Sequence, residues 1–166
     1  MLFILIVSLS DIIVDSSKEE FIAAGQDKVN KINKQFARGL ITDEERYTNV
    51  CAVWNSVKDQ VKNQLSDIAK NDLHNPVFMM MNSGARGSTD QFCQMAGMRG
   101  LMAKPDGTSV EIPILSSLRD GLSVNEFFLG THGARKGDTD TALRTADSGY
   151  LTRRLVDVSQ DIIVKD

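Results

Sequence analysis

Arg86 follows Ser83-Gly84-Ala85 and precedes Gly87. A backbone freed by glycine can aim amides and a guanidinium at one phosphate. The bland alternative is a loop arginine paired with a neighbouring carboxylate. Farther along, Arg135, Lys136, Arg144, Arg153 and Arg154 punctuate a stretch otherwise rich in small residues. Cations in such a series can meet phosphates, or can be solvated charges on a glycine-interrupted surface helix. Asp138 and Asp140 form an Asp-x-Asp pair that suggests Mg²⁺. His132, Asp140 and Ser148 supply the residue types of a triad, but Ser148 lies in no Gly-x-Ser-x-Gly elbow, so nothing fixes a nucleophile beside a base. Cys51 and Cys93 are far apart and lack a Cys-x-x-Cys or histidine partner, which argues for two reduced thiols and against zinc.

The elements that must position these groups can be read from spacing. From about Ser17 to Ala37, Phe21, Ile22, Val29, Ile32 and Phe36 recur near helical spacing among charges, and Arg38-Gly39 supplies a C-terminal cap. Thr42 and Glu45 form a capping box for a second helix, along which Tyr47, Val50, Trp54, Val57, Val61, Leu65 and Ile68 step by three or four. The short connection folds the two into an antiparallel hairpin. Asn75-Pro76 ends that hairpin, and His74 serves as a cap near its end. Helical character resumes from Asp90 to Leu101, broken by Gly97 and Gly100. Pro105-Asp106-Gly107 then turns between extended pieces at Met102 to Lys104 and Val110 to Ile114. A short helix is predicted from about Ser123 to Leu129, and the helical pattern resumes beyond Gly133. There Gly137 and Gly149 each cost about 1 kcal/mol relative to alanine, which suggests bending or a close approach.

The fold class is therefore mainly α: an antiparallel helical hairpin, a loop-rich α+β segment and a long helix. The expected boundaries are a strand-like segment at 1–16, the hairpin at 17–74, the loop-rich segment at 75–122 and the long helix with its C-terminal extension at 123–166. The opening MLFILIVSLS lacks a basic n-region and is too short for a membrane span, so it reads as a buried strand whose neighbours lie elsewhere. With 166 residues and a net charge of −3, the chain suits one ordinary domain and does not suit a free-standing nucleic-acid binder. Any contact with nucleic acid must be local.

Three stretches together carry a resemblance: SGARGS from Ser83 to Ser88, AGMRGLMAKPDG from Ala96 to Gly107, and THGARKG with DTALRTADSGYLTRRLVDV from Thr131 onward. They resemble the active-site region of the bacterial-type beta-prime subunit of DNA-directed RNA polymerase. LITDEERY with Val53-Trp54 is similar, less specifically, to the family's rim helices beside the secondary channel. The resemblance implies that the chain is part of a larger multidomain subunit of a nucleotidyltransferase, and that its segments correspond to rim-helix hairpin, F-loop and bridge helix. Arg86 then corresponds to the arginine that holds the triphosphate of the incoming nucleotide. Met95, Met98, Arg99 and Met102 correspond to the F-loop, although on periodicity alone the methionines are ordinary core fillers. Thr141, Ala142, Thr145 and Ala146 are small enough for a base pair to approach, Tyr150 offers a ring near the template base, and Arg135, Lys136, Arg144, Arg153 and Arg154 face phosphates. Gly137 and Gly149 become hinges for translocation.

In the family, the RNA 3′ hydroxyl attacks the nucleotide α-phosphate with the help of two Mg²⁺ ions. These are held by an Asn-Ala-Asp-Phe-Asp-Gly-Asp run that this chain lacks, so the metal is expected to bind elsewhere, no catalytic residue is expected here, and Asp138 and Asp140 read as surface or capping carboxylates. The trigger loop is likewise expected outside the chain. Implied partners are the beta, alpha, omega and sigma subunits, the DNA template and RNA–DNA hybrid, nucleoside triphosphates and secondary-channel regulators, in a cytoplasmic, nucleoid-associated enzyme without a membrane. Cys93 stands where the family favours a basic residue, and Asp138 where it favours a neutral one. The alternatives are a non-catalytic split or remnant piece that serves as an interaction module in transcription, or an inactive remnant.

Overall fold

Helix α1, Lys18–Ala37, and helix α2, Asp43–Asn71, form the expected hairpin. The computed structural model describes residues 7–14, 17–72, 74–104 and 106–163. Gly39 takes φ 72° immediately after α1, a left-handed conformation that reverses the chain. Thr42 and Glu45 then make the reciprocal capping box. Apolar residues at intervals of three and four leave one face of α2 buried, through Val50, Trp54, Val57, Val61, Leu65 and Ala69. Each such aliphatic side chain contributes about 1.5–3 kcal/mol when fully withdrawn from water. The helices cross closely at Gly25, where a Cβ would stand 2.7 Å from Val57 Cγ2.

Helix α2 closes at Asn71, before Asn75-Pro76, and that pair opens the next helix. Asn75 accepts a hydrogen bond from Val77 N, and Pro76 occupies the first position of α3, Pro76–Asn82. Proline has no amide to lose there, and its fixed φ suits a first turn. Asp72, not His74, closes α2, Asn75 caps α3, and the Asn75 amide also donates to Asp11 O at 2.7 Å. Phe78 on α3 meets Phe92 on α4, Thr89–Ala96, edge to face with centroids 5.0 Å apart. Helix α4 ends at Gly97, where a Cβ would lie 2.8 Å from Val61 Cγ1, so α2 and the end of α4 nearly touch. Cys93, on the inner face of α4, is buried, and burial pushes its thiol pKa up.

Two expectations need correction. The strand proposed for the N-terminus falls partly on residues 1–6, outside the described residues. Within the described residues 7–14 no strand forms, and Leu9–Asp11 make a 3-10 turn closed by Ser8 and Asp11, with Leu9 on the surface. The long helix expected within 123–166 is α5, Val124–Ser159, and it runs unbroken through its glycines where spacing alone suggested a short helix to Leu129 and a second beyond Gly133. Each glycine removes side-chain contacts and adds backbone freedom, but none of them breaks the amide ladder. Between α4 and α5 the two extended pieces meet only as isolated antiparallel bridges among the described residues, Gly100 with Ile114 and Ala103 with Ser109.

Candidate nucleotide and nucleic-acid interface

Ser123 begins α5 with a capping box whose second member does more than cap. The Glu126 carboxylate accepts from the amides of Ser123, Leu115 and Ser116, and from the hydroxyls of Ser123 and Ser116. Partial burial raises its pKa, but these donors outweigh that effect and hold it at about 2. The base of the helix is thereby fastened to the segment that leads into it.

The next turns lie against the loop after α4. Gly130 is buried, and a Cβ there would come 2.7 Å from Arg99 Nη1. One turn later a Cβ on Gly133 would stand 3.4 Å from Met102 Sδ, and Lys136 Nζ donates to Lys104 O at 3.3 Å. Met98 is fully buried, while Met95 and Met102 are partly buried. The four F-loop candidates thus divide: Met98 is core, Met95 lines a cleft beside α3, and Arg99 and Met102 bear on the helix.

From Gly137 to Ser159 every residue of α5 is exposed. At about 1.5 Å per residue this arm is roughly 35 Å long. Successive residues turn by about 100°, so positions four apart share a row. Thr141, Thr145 and Gly149 form one row, and Ala142, Ala146 and Tyr150 form the row beside it. Arg153 continues the first and Arg154 the second. Thr141 and Thr145 turn their hydroxyls onto the carbonyls of Gly137 and Thr141, at 2.8 Å each, which satisfies them within the helix. The Arg154 guanidinium lies 5.6 Å from the centre of the Tyr150 ring, and Arg153 is 4.0 Å from Asp157.

The remaining predicted residues scatter. Arg135 falls on the side of Ala142, seven residues on. Arg144 shares a row with Asp140 and Ser148 on the far side, and Lys136 is directed to the loop. Gly137 and Gly149 are open, with nothing within 4 Å of a Cβ at either. Asp138 and Asp140 lie mid-helix and cap nothing, because the capping residue is Ser123. No group of three or more His, Cys, Asp or Glu able to hold a metal occurs among the described residues. His132 meets Phe128 edge to face at 5.4 Å.

Arg86 stands apart. It occupies the exposed turn after α3, between Gly84 at φ 70° and Gly87 at φ 87°. It edges a cleft of about 410 Å³ that Val77, Met80, Met81, Phe92 and Met95 make mainly apolar, and that no α5 residue lines. The guanidinium is available to an anion, but the small-residue rows lie elsewhere. Sequence reasoning missed Glu126, although the Ser123-x-x-Glu126 spacing is legible as a capping box. It also missed Gly130, for which no local signal exists.

The family model for RNA polymerase Rpb1, domain 4, matches residues 41–115, and that for RNA polymerase Rpb1, domain 5, matches residues 121–166. The DNA-directed RNA polymerase subunit beta' of Brochothrix thermosphacta is 61% identical over 160 residues, which is 96% of this chain and 15% of that protein. Its namesake in Listeria grayi is 58% identical over the same shares, and that of Caldicellulosiruptor saccharolyticus is 57% identical over 96% of this chain and 14% of that protein. The chain thus spans about 15% of the length of the curated relatives it matches. With one Rpb1 pattern covering α2 and the loop, the next covering the long helix, and such identity over nearly all its length, the chain belongs to the beta-prime family of DNA-directed RNA polymerase subunits.

Proposed function

We propose that this chain positions the reactants of DNA-templated RNA synthesis within an assembled RNA polymerase, with Arg86 steadying the nucleotide phosphates and the α5 rows supporting the template and nascent pair. The observation that carries the reading is the contrast along α5: a base fixed by Glu126, Gly130 and Arg99, and an exposed arm that bears two rows of small residues ending in Arg153 and Arg154. Small side chains let a flat base pair come near the backbone, and the arginines are placed for phosphates. Gly137 and Gly149 serve as hinges, Tyr150 as the ring beside the template base, and Arg99 and Met102 as the bearing of the helix base.

The Mg²⁺ of the whole enzyme is assigned to residues outside this chain, whose own part is positioning. The hairpin faces the nucleotide entry channel and its regulators. The beta, alpha, omega and sigma subunits complete a cytoplasmic, nucleoid-associated assembly. Among the described residues no helix is long and apolar enough to cross a membrane.

The test is Arg86→Ala in the full-length subunit, assembled with its partners on a primed template. Loss of one charged hydrogen bond of about 1.5–3 kcal/mol raises the nucleotide KM by roughly ten- to a hundredfold. An unchanged KM refutes the assignment.

A further inference from the structure

Residues 109–116 touch α2, the loop after α4, and α5 within eight positions. Tyr47 Oη on α2 donates to Ser109 O and accepts from Ser109 N, both at 2.9 Å. Two residues on, Glu111 receives a two-pronged grip from Arg46, Nη1 to Oε2 at 2.7 Å and Nη2 to Oε1 at 3.0 Å. Arg46 is itself steadied by Asp43 at 2.9 Å and lies 5.3 Å from the centre of the Phe36 ring, so its direction is set from both hairpin helices. Ile114, fully buried, exchanges both backbone hydrogen bonds with Gly100 at 2.9 Å. Leu115 and Ser116 then give their amides to Glu126 at the foot of α5.

A lone surface ion pair would carry little weight. This one is bidentate, with the Arg46 side chain only 19% exposed, and it shares a short loop segment with a buried bridge and a carboxylate clamp. Two parallel N–H···O bonds fix orientation as well as distance. The segment, held at both ends and in the middle, thus joins the hairpin to the foot of the long helix.

We propose that residues 109–116 act as a strap between hairpin and long helix, and that Arg46, through Glu111, is a positioning residue for nucleotide addition. This rests on the polymerase reading above. It predicts that loosening the hairpin end of the strap alters chemistry at α5 without touching any group that meets nucleotide or template.

The experiment uses full-length subunit variants Arg46→Glu, Glu111→Gln and the exchange Arg46→Glu with Glu111→Arg, each in assembled polymerase. Single-nucleotide addition and hydrogen exchange across 109–116 are measured together. Arg46→Glu and Glu111→Gln are expected to speed exchange and to slow addition at saturating nucleotide by roughly two- to thirtyfold with KM unchanged, and the exchanged pair to restore both. Faster exchange with unaltered addition makes the contact merely structural and overturns the proposal, as does an exchanged pair that restores neither. Failure of the exchanged pair or of Glu111→Gln to assemble also counts against it, since both leave the core intact. If Arg86→Ala raises KM while the Arg46 variants are silent, only the strap fails. If Arg86→Ala is silent as well, the underlying reading fails.

Discussion

Replacing Glu126 with alanine removes five hydrogen bonds at once, from three amides and two hydroxyls. The carboxyl's fall from an ordinary 4.5 to about 2, at about 1.4 kcal/mol per pH unit, corresponds to roughly 3 kcal/mol in favour of the ionised, bonded form. Solvent at this half-exposed site reduces the figure to about 2 kcal/mol, above the ~1 kcal/mol of an ordinary helix cap. Local opening at Leu115 and Ser116 then becomes easier, and their amides exchange about 30-fold faster. Hydrogen exchange read by mass spectrometry in assembled polymerase measures this, with the buried face of α2 as an internal control that should not change. Because the folded pKa is lowered, the stabilisation is complete above pH 4.5 and is lost as pH falls through about 2, so wild type and Glu126→Gln should differ at pH 7 and converge in strong acid. Unaltered exchange at 115–116 in the alanine variant at pH 7 would refute the clamp.

Two further outcomes are expected. Gly97→Ala drives a methyl to 2.8 Å from Val61 Cγ1 and 3.0 Å from the Cys93 carbonyl; since backbone cannot move aside like a side-chain tip, the variant should lose about 1–3 kcal/mol in denaturant unfolding, and a loss under a few tenths would contradict the packing at that contact. Gly149→Pro removes an amide from the exposed arm of α5 and should slow nucleotide addition in the assembled enzyme, whereas an unchanged elongation rate would sink the hinge role.

The hairpin was legible because its signals are local. Thr42 and Glu45 announce a start, Gly39 a reversal, and the spacing from Val50 to Leu65 a buried face, all within a few residues of one another. Asn75-Pro76 marks the opening of a new unit, but α2 stops earlier, at Asn71, where no proline announces it, and only the fate of the Asn75 side chain shows that a helix starts at the pair. The division of α5 failed for a different reason. Its glycines lower helix propensity, but continuity is decided by the cap at Ser123 and by packing around Gly130, which a local count of glycines does not register. The grip of Arg46 on Glu111 joins positions 65 apart, and neither residue carries a local signal for the other. The site obeyed the same rule: the row of Thr141, Thr145 and Gly149 could be drawn from helical geometry, whereas the separation of Arg86 from it depends on tertiary placement.

The exposed arm of α5 has an energetic corollary. A helix gains most of its order from an apolar face pressed against a core, and this arm has no such contact within the described chain. Whatever lies along the rows from Thr141 to Arg154 therefore supplies helix order as well as receiving support. Linkage makes the exchange mutual: a ligand that prefers the ordered arm stiffens it, and a substitution that stiffens the arm tightens that ligand by the same free energy. Helix-favouring replacements on the far side, away from both rows, should then strengthen binding at a surface they never touch.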